Sequence, residues 1–505
     1  MRYRPAMAVP IALALVQIAL HLTLGLGYGM FRDELYYWDC ANHPAWGYVD
    51  HPPLSIAVLA VWKAAFGDSM ISMRILPALA GGTLVLLTAR LAGRLGGGTF
   101  ARGLAAAIAF ATPSYLGITG YYSMNSFELL FWVALAFIAL DVIERGRRRD
   151  WILLGLCVGL GTLNKISVLL AAAAAGVVVL AATRLRVLRK PGPYLAVGIA
   201  ALIVAPHVAW QVQNGWPTRE FVENAQRYKM TAQGPVGFLR GLMMEMGPLM
   251  APWLVAGLVG LLAAPALRRG RPLAWMTILA LAVLTFSRSK PYYAVAAFPP
   301  VIAGLSVLIE VATAARHRWL RALPVAAAMA DLALAAPFAI PMLPVDSFIA
   351  YQRALGMRPP SAERRDTGEL PQFLADRFGW PELAAQVAGA VRSLPPFDRA
   401  HCLIVADNYG EAAAINYYGR RYGLARAASQ HNNYYLWGHG SGTPTAYVIV
   451  GDRREGLEQA FTEVREVART GAAHAMPDET GVPIWICRGL RIPLDDAWRR
   501  GKHYI

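Results

Sequence analysis

The chain has 505 residues, 56% of them apolar and only 16% charged, where a soluble domain carries about 25% charge. Its mean hydropathy is +0.38, and its net charge of +16 comes from 48 Lys and Arg against 32 Asp and Glu. This balance excludes a disordered or nucleic-acid-solvating chain, and the four cysteines form neither a dense disulfide framework nor a metal pattern.

Arginine clusters separated by long apolar runs predict a polytopic α-helical membrane protein, because a crossing helix needs about 20 apolar residues. Apolar stretches fall at 7–28, 71–93, 101–118, 125–143, 151–164, 166–183, 193–211, 247–266, 272–287, 291–313 and 320–343. The stretch 151–164 is short and suggests a half-length helix paired with the next. Basic clusters sit at Arg2 and Arg4, Arg94 and Arg102, Arg145 to Arg149, Arg184 to Lys190, Arg268 to Arg271, and Arg316 to Arg321. All fall on one side if about 11 crossings start inside, which predicts a cytoplasmic N-terminus and a C-terminal region outside. The first apolar stretch is too long for a signal-peptide core and reads as an uncleaved span.

The loops 29–70 and 212–246 are polar and aromatic and are predicted to face outward. Beyond residue 344 the composition shifts, after Pro341 and Pro344 and with Pro359 and Pro360 following. Strands are predicted at 401–407, 446–452 and 483–489, and helices at 370–377, 381–391, 410–418 and 455–467. Alternating strands and helices predict a small extracytoplasmic α/β domain over 345–505, following a membrane domain over 1–344.

The sharpest local feature is the stretch 31–37, Phe-Arg-Asp-Glu-Leu-Tyr-Tyr, with Asp33 and Glu34 just past the first span. Acids favour a helix start for structural reasons alone. Asp50 and His51 precede Pro52 and Pro53, which stiffen a turn. Arg74 lies on the outer side, against the charge bias, where snorkelling is the plain alternative. Lys165 sits at an outer apex between two apolar runs, and a charge at membrane depth tends to be functional. Arg288 and Lys290, followed by Tyr292 and Tyr293, add outer cations. Carboxylates and cations thus converge at one lipid–water boundary. This suits a substrate with a phosphate at the surface and a lipid tail in the bilayer. A carboxylate would deprotonate an acceptor, and cations would meet the departing phosphate charge.

Other signals are weak. Gly438 to Gly442 fits no phosphate-loop or nucleophile-elbow pattern and reads as a loop. His401, His431, His439 and His474 lack metal-ligand spacing. Cys402 and Cys487, on two predicted strands, would pair only if those strands were neighbours. Asn432, Asn433, Tyr434, Tyr435 and Trp437 fit either a carbohydrate-stacking surface or a buried core.

The stretches 31–54, 74–97, 121–132, 159–170, 210–218 and 290–300 together resemble the dolichyl-phosphate-mannose–protein mannosyltransferase family (glycosyltransferase family 39), in the bacterial branch of the GT-C class. The stretches 407–419 and 429–438 look like the tail of many bacterial members. The specific element is the Asp-Glu pair followed by Asp-His-Pro-Pro. The resemblance implies an inverting glycosyltransferase at the outer face of the bacterial inner membrane, moving a sugar from a polyprenyl-phosphate donor to a glycan, lipid or protein. It implies Asp33 as base, with Glu34 supporting it or orienting the acceptor. His51, Arg74, Lys165, Arg288, Lys290 and Tyr293 fall to the donor, and Tyr36, Tyr37 and Asn125 to the acceptor side. Many relatives carry an acid where this chain has Asn125, and Glu128, on the same helix face, is the substitute. Cofactors: no ligand set in the sequence supports a divalent metal, although the wider class varies. The competing classes are a polyprenyl-linked sugar flippase and a non-catalytic relative. A transporter would place polar groups near the midplane, often with inverted repeats, and neither is visible in the sequence.

Overall fold

The structure is a computed structural model that describes residues 5–230, 234–287, 289–357, 359 and 366–505. Arg2, Arg4, Arg288 and Pro360 therefore lie outside the described residues. Each of the apolar stretches predicted from the sequence falls on helix. Helix α1 spans Ala8–Thr23, α2 spans Arg32–Cys40, α3 spans Met70–Arg94 and α4 spans Met124–Glu144. Among the described residues, four helices are long and apolar enough to cross a membrane, or up to six if each of two bent pairs counts as one span. Others, such as α1, are shorter apolar helices. The protein is a multi-pass membrane protein.

Small residues let these helices approach closely. A Cβ on Gly81 of α3 would lie 2.5 Å from Gln17 of α1, and one on Gly82 would lie 2.8 Å from Ile18. The predicted outer stretch 212–246 also contains helix, at Pro217–Asn224 and Pro235–Met246. The second of these joins Ala251–Ala263 through a 101° bend.

The C-terminal region carries a five-stranded sheet: β1 Cys402–Ala406, β2 Ala427–Ala428, β3 Ala446–Val450, β4 Phe461–Arg469 and β5 Pro483–Leu490. Their order is β2-β1-β3-β5-β4. Strand β1 runs parallel to β2 and β3, whereas β5 is antiparallel to both β3 and β4. The apolar strands β1 and β3 sit inside the sheet, and helix α5, Tyr409–Tyr418, follows β1.

Two expectations change here. The helix expected over 455–467 breaks after Arg454–Ala460, and the chain continues as β4. Thr462, Val464 and Val467 are β-branched, and β4 pairs along the exposed side of β5 as a charged edge strand. The pairing partner, distant in sequence, overrides local helix periodicity. Cys402 and Cys487 are both free. Strand β3 separates their strands, so they stand two strand spacings apart, roughly 9.5 Å, beyond the reach of a disulfide.

Candidate active site

Helix α2 begins where Phe31 leaves extended backbone, and the Phe31 amide donates to Glu34 Oε2 at 3.0 Å. This is half of a capping box, which explains an acid at the third helical position. Glu34 is fully buried. Arg74 Nε donates to its Oε1 at 2.9 Å and Nη2 to its Oε2 at 2.6 Å, while the Tyr122 amide reaches Oε1 at 3.0 Å. Burial works to raise the Glu34 carboxyl, but Arg74, helped by Arg377 and the Phe31 amide, holds the group below its ordinary value. Arg74 itself also donates to the Gly25 and Gly29 carbonyls, each at 2.7 Å. The two residues assigned to substrate contact and to the donor phosphate are instead each other's partners. A guanidinium at that depth is stable because its donors are taken up by carboxylate and carbonyls.

The neighbouring Asp33 is different. Its side chain is 39% exposed, with Arg32 Nε at 4.0 Å. The Tyr409 hydroxyl, at the start of α5, donates to Asp33 Oδ1 at 3.1 Å. Arg32 is held in turn by Asp376, whose carbonyl accepts its amide at 3.0 Å and whose carboxylate lies 3.6 Å from Nη2. The remaining acids of the first loop are sequestered. Asp39 accepts from Arg426 at 2.8 Å, Asn416 at 2.6 Å and Tyr434 at 2.5 Å. Asp50 accepts from the Tyr36 hydroxyl at 3.0 Å, and burial pushes its carboxyl up despite the opposing pull of His51.

His51 is buried rather than lining an open donor cleft. Its ring stacks on Tyr37 at 4.7 Å and meets Tyr48 at 4.8 Å. Tyr36 and Tyr37 are likewise buried. The Tyr36 hydroxyl accepts from Asn433 Nδ2 at 2.6 Å, so neither tyrosine presents an acceptor-side surface. These rings are taken up by the seam between the first loop and the C-terminal domain. The same seam buries Asn432, Asn433 and Tyr434, which favours the core reading of that cluster over a carbohydrate surface.

A second group forms around Lys165. Its ammonium donates to Asn125 Oδ1 at 2.7 Å and Glu128 Oε2 at 2.6 Å, and it sits 4.5 Å from the centre of the Tyr293 ring. Ser167 donates to the other Glu128 oxygen. Asn125, Glu128, Lys165 and Tyr293, named separately from the sequence, are thus one cluster. Glu128 is here the partner of Lys165. Tyr121 stands between the two groups: its ring packs on Phe31 at 4.9 Å and on Phe373 at 5.5 Å. Lys290 flanks the short helical turn Pro291–Ala297 that presents Tyr292 and Tyr293.

Sequence reading missed three residues: Asp39, Tyr409 and Arg377. Arg377 is buried against Phe31, Tyr121 and Phe373, 4.8 Å above the last ring. Burial, and then repulsion from Arg74, pushes its guanidinium down to about 9. None of the three carries a local signal, because each has partners distant in sequence. Among the described residues no His, Cys, Asp and Glu side chains gather into a metal-holding group.

Residues 50–210 match the family described as dolichyl-phosphate-mannose-protein mannosyltransferase. An undecaprenyl phosphate-alpha-4-amino-4-deoxy-L-arabinose arabinosyl transferase of Pseudomonas aeruginosa (strain UCBPP-PA14) is 34% identical over 124 residues, which is 23% of this chain and 22% of that protein. A namesake from Pseudomonas fluorescens (strain Pf0-1) is 28% identical over 196 residues, 37% of this chain and 30% of that protein. The matches therefore span less than a third of these relatives' lengths. The crystal structure of ArnT from Cupriavidus metallidurans bound to undecaprenyl phosphate superposes with a TM-score of 0.61 at 15% identity, covering 95% of this chain and 97% of that one. Its apo state gives a TM-score of 0.59 at 16% identity, with the same coverage. The fold of this chain is the fold of those structures.

Proposed function

We propose that this chain, a relative of the dolichyl-phosphate-mannose-protein mannosyltransferases over residues 50–210, is an inverting glycosyltransferase. It takes a sugar from a polyprenyl-phosphate donor and passes it to an acceptor hydroxyl on a glycan, lipid or protein. The reading extends to placement: the bacterial inner membrane, with the N-terminus cytoplasmic and the sheet domain outside, as the distribution of basic residues suggests.

The observation that carries the proposal is the exposure of Asp33. Glu34, Asp39 and Asp50 are committed to buried partners, whereas Asp33 keeps a solvent-facing carboxylate at the rim of the membrane bundle. It accepts the acceptor's proton, the acceptor oxygen bonds the anomeric carbon, and the electron pair of the breaking bond leaves on the donor phosphate oxygen. Lys165, with two donors engaged on Asn125 and Glu128 and its charge over Tyr293, supports that phosphate together with Lys290. Fixed cations suit this task because they need no reorganisation as charge develops.

The test is Asp33→Asn in native membranes supplied with polyprenyl-phosphate sugar. A general base is worth about 100- to 10,000-fold, so turnover should fall by that factor while the protein still inserts and folds. Normal turnover by a correctly inserted Asp33→Asn enzyme would sink the reading. Cysteine-accessibility labelling from each side checks the orientation, and labelling of the Asp33 region from both sides would favour a flippase.

A further inference from the structure

We infer that the C-terminal domain completes the catalytic site, with Tyr409 as the positioning residue that fixes Asp33 and selects which of its oxygens acts as base. This rests on the assignment of Asp33 above.

The geometry is specific about the two oxygens. Tyr409 donates to Oδ1, and Arg32 Nε also approaches Oδ1. Among the described residues, no group hydrogen-bonds to Oδ2. One oxygen of the carboxylate is thus pinned, and the side chain remains 39% exposed. The Tyr409 ring is itself held firmly. It packs 4.7 Å from Tyr36 and 5.0 Å from His431, and the Arg32 guanidinium stands 5.3 Å from its centre. The backbone behind it is equally constrained. Asn408 caps α5 by accepting from the Gly410 and Glu411 amides at 2.8 and 3.0 Å. A Cβ on Gly410 would lie 2.6 Å from the Arg32 side chain, so the start of α5 is pressed against the base-bearing loop.

A rotating carboxylate loses the alignment that a proton transfer requires, and a preorganised one does not. The proton taken from the acceptor hydroxyl goes to Oδ2 and is later released to water. The phenol keeps its own proton throughout and forms no bond to substrate.

Tyr409→Phe in the full-length protein removes the hydroxyl and keeps the ring contacts. The expected result is a kcat about tenfold lower, with the KM for polyprenyl-phosphate sugar unchanged. A purely structural role would lower the amount of folded enzyme and leave kcat per folded molecule in place. If Tyr409→Phe folds poorly, normalising kcat to the fraction of enzyme that binds polyprenyl phosphate isolates the folded molecules. An unchanged kcat per folded Tyr409→Phe enzyme overturns the inference. The two readings fail separately: an active Asp33→Asn enzyme removes the base itself, whereas an inactive Asp33→Asn with an unchanged Tyr409→Phe kcat removes only the role of Tyr409.

Discussion

Arg74 grips Glu34 through both carboxylate oxygens, at 2.9 and 2.6 Å, with neither side chain exposed to solvent. The pair ties the loop after the first span to helix α3. Removing one partner leaves a buried charge uncompensated, at about 3–5 kcal/mol. Glu34→Gln and Arg74→Ala should each lower stability by that amount, read as a drop in thermal midpoint of the detergent-solubilised protein. Enzyme that does fold should keep its donor KM. A stable Arg74→Ala protein with weakened donor binding would return Arg74 to the phosphate.

The same pair sets a pH dependence. The Glu34 carboxyl is held below its ordinary value of 4.5 because Arg74, Arg377 and the Phe31 amide together outweigh burial. A carboxyl with a depressed folded value contributes stability above its unfolded value, and that stability is lost as pH falls through the folded one. The thermal midpoint should therefore decline on acidification below about 4.5. Glu34→Gln should flatten this part of the curve, and an unchanged slope in that variant would contradict the pairing.

Lys165 joins Asn125, Glu128 and Tyr293 in one cluster. Lys165→Ala should reduce kcat/KM for the donor by about 100- to 1,000-fold, the loss typical of one preorganised contact to developing charge. Lys165→Arg should recover part of it. Direct titration with polyprenyl phosphate separates donor binding from packing: unchanged affinity in Lys165→Ala would assign the residue to packing.

Asp39 binds the sheet domain to the membrane domain through Asn416, Arg426 and Tyr434. Asp39→Ala strands the buried Asn416 amide and Tyr434 hydroxyl, each at a cost of about 1–3 kcal/mol, while the half-exposed Arg426 turns to solvent. Limited proteolysis should then release the C-terminal domain faster than in the parent protein. Parent-like protection would mean that the apolar contacts of the seam suffice.

Cys402 and Cys487 should both react with a thiol reagent after unfolding without reductant, because β3 keeps their strands apart. A blocked pair detected by peptide mass analysis would overturn the strand order.

The membrane class, the apolar helical stretches and three of the five strands were legible in the sequence, because apolar run length and charge bias are local properties. Asp33 and Lys165 were also legible, since a charge beside an apolar run stands out wherever the chain folds. What local pattern could not reveal was how charges pair. Arg74 and Lys165 look alike in sequence, but Arg74 closes on Glu34 at 0% exposure, whereas Lys165 meets Glu128 and Asn125 beside the Tyr293 ring. Strand β4 and the tyrosine that pins Asp33 depended on partners dozens to hundreds of residues away. The sequence by itself singled out Asp33, Glu34, Arg74 and Lys165 as candidate carboxylates and cations. Only the tertiary structure decided which carboxylate remained open, because pairing and burial are settled by which distant segments meet.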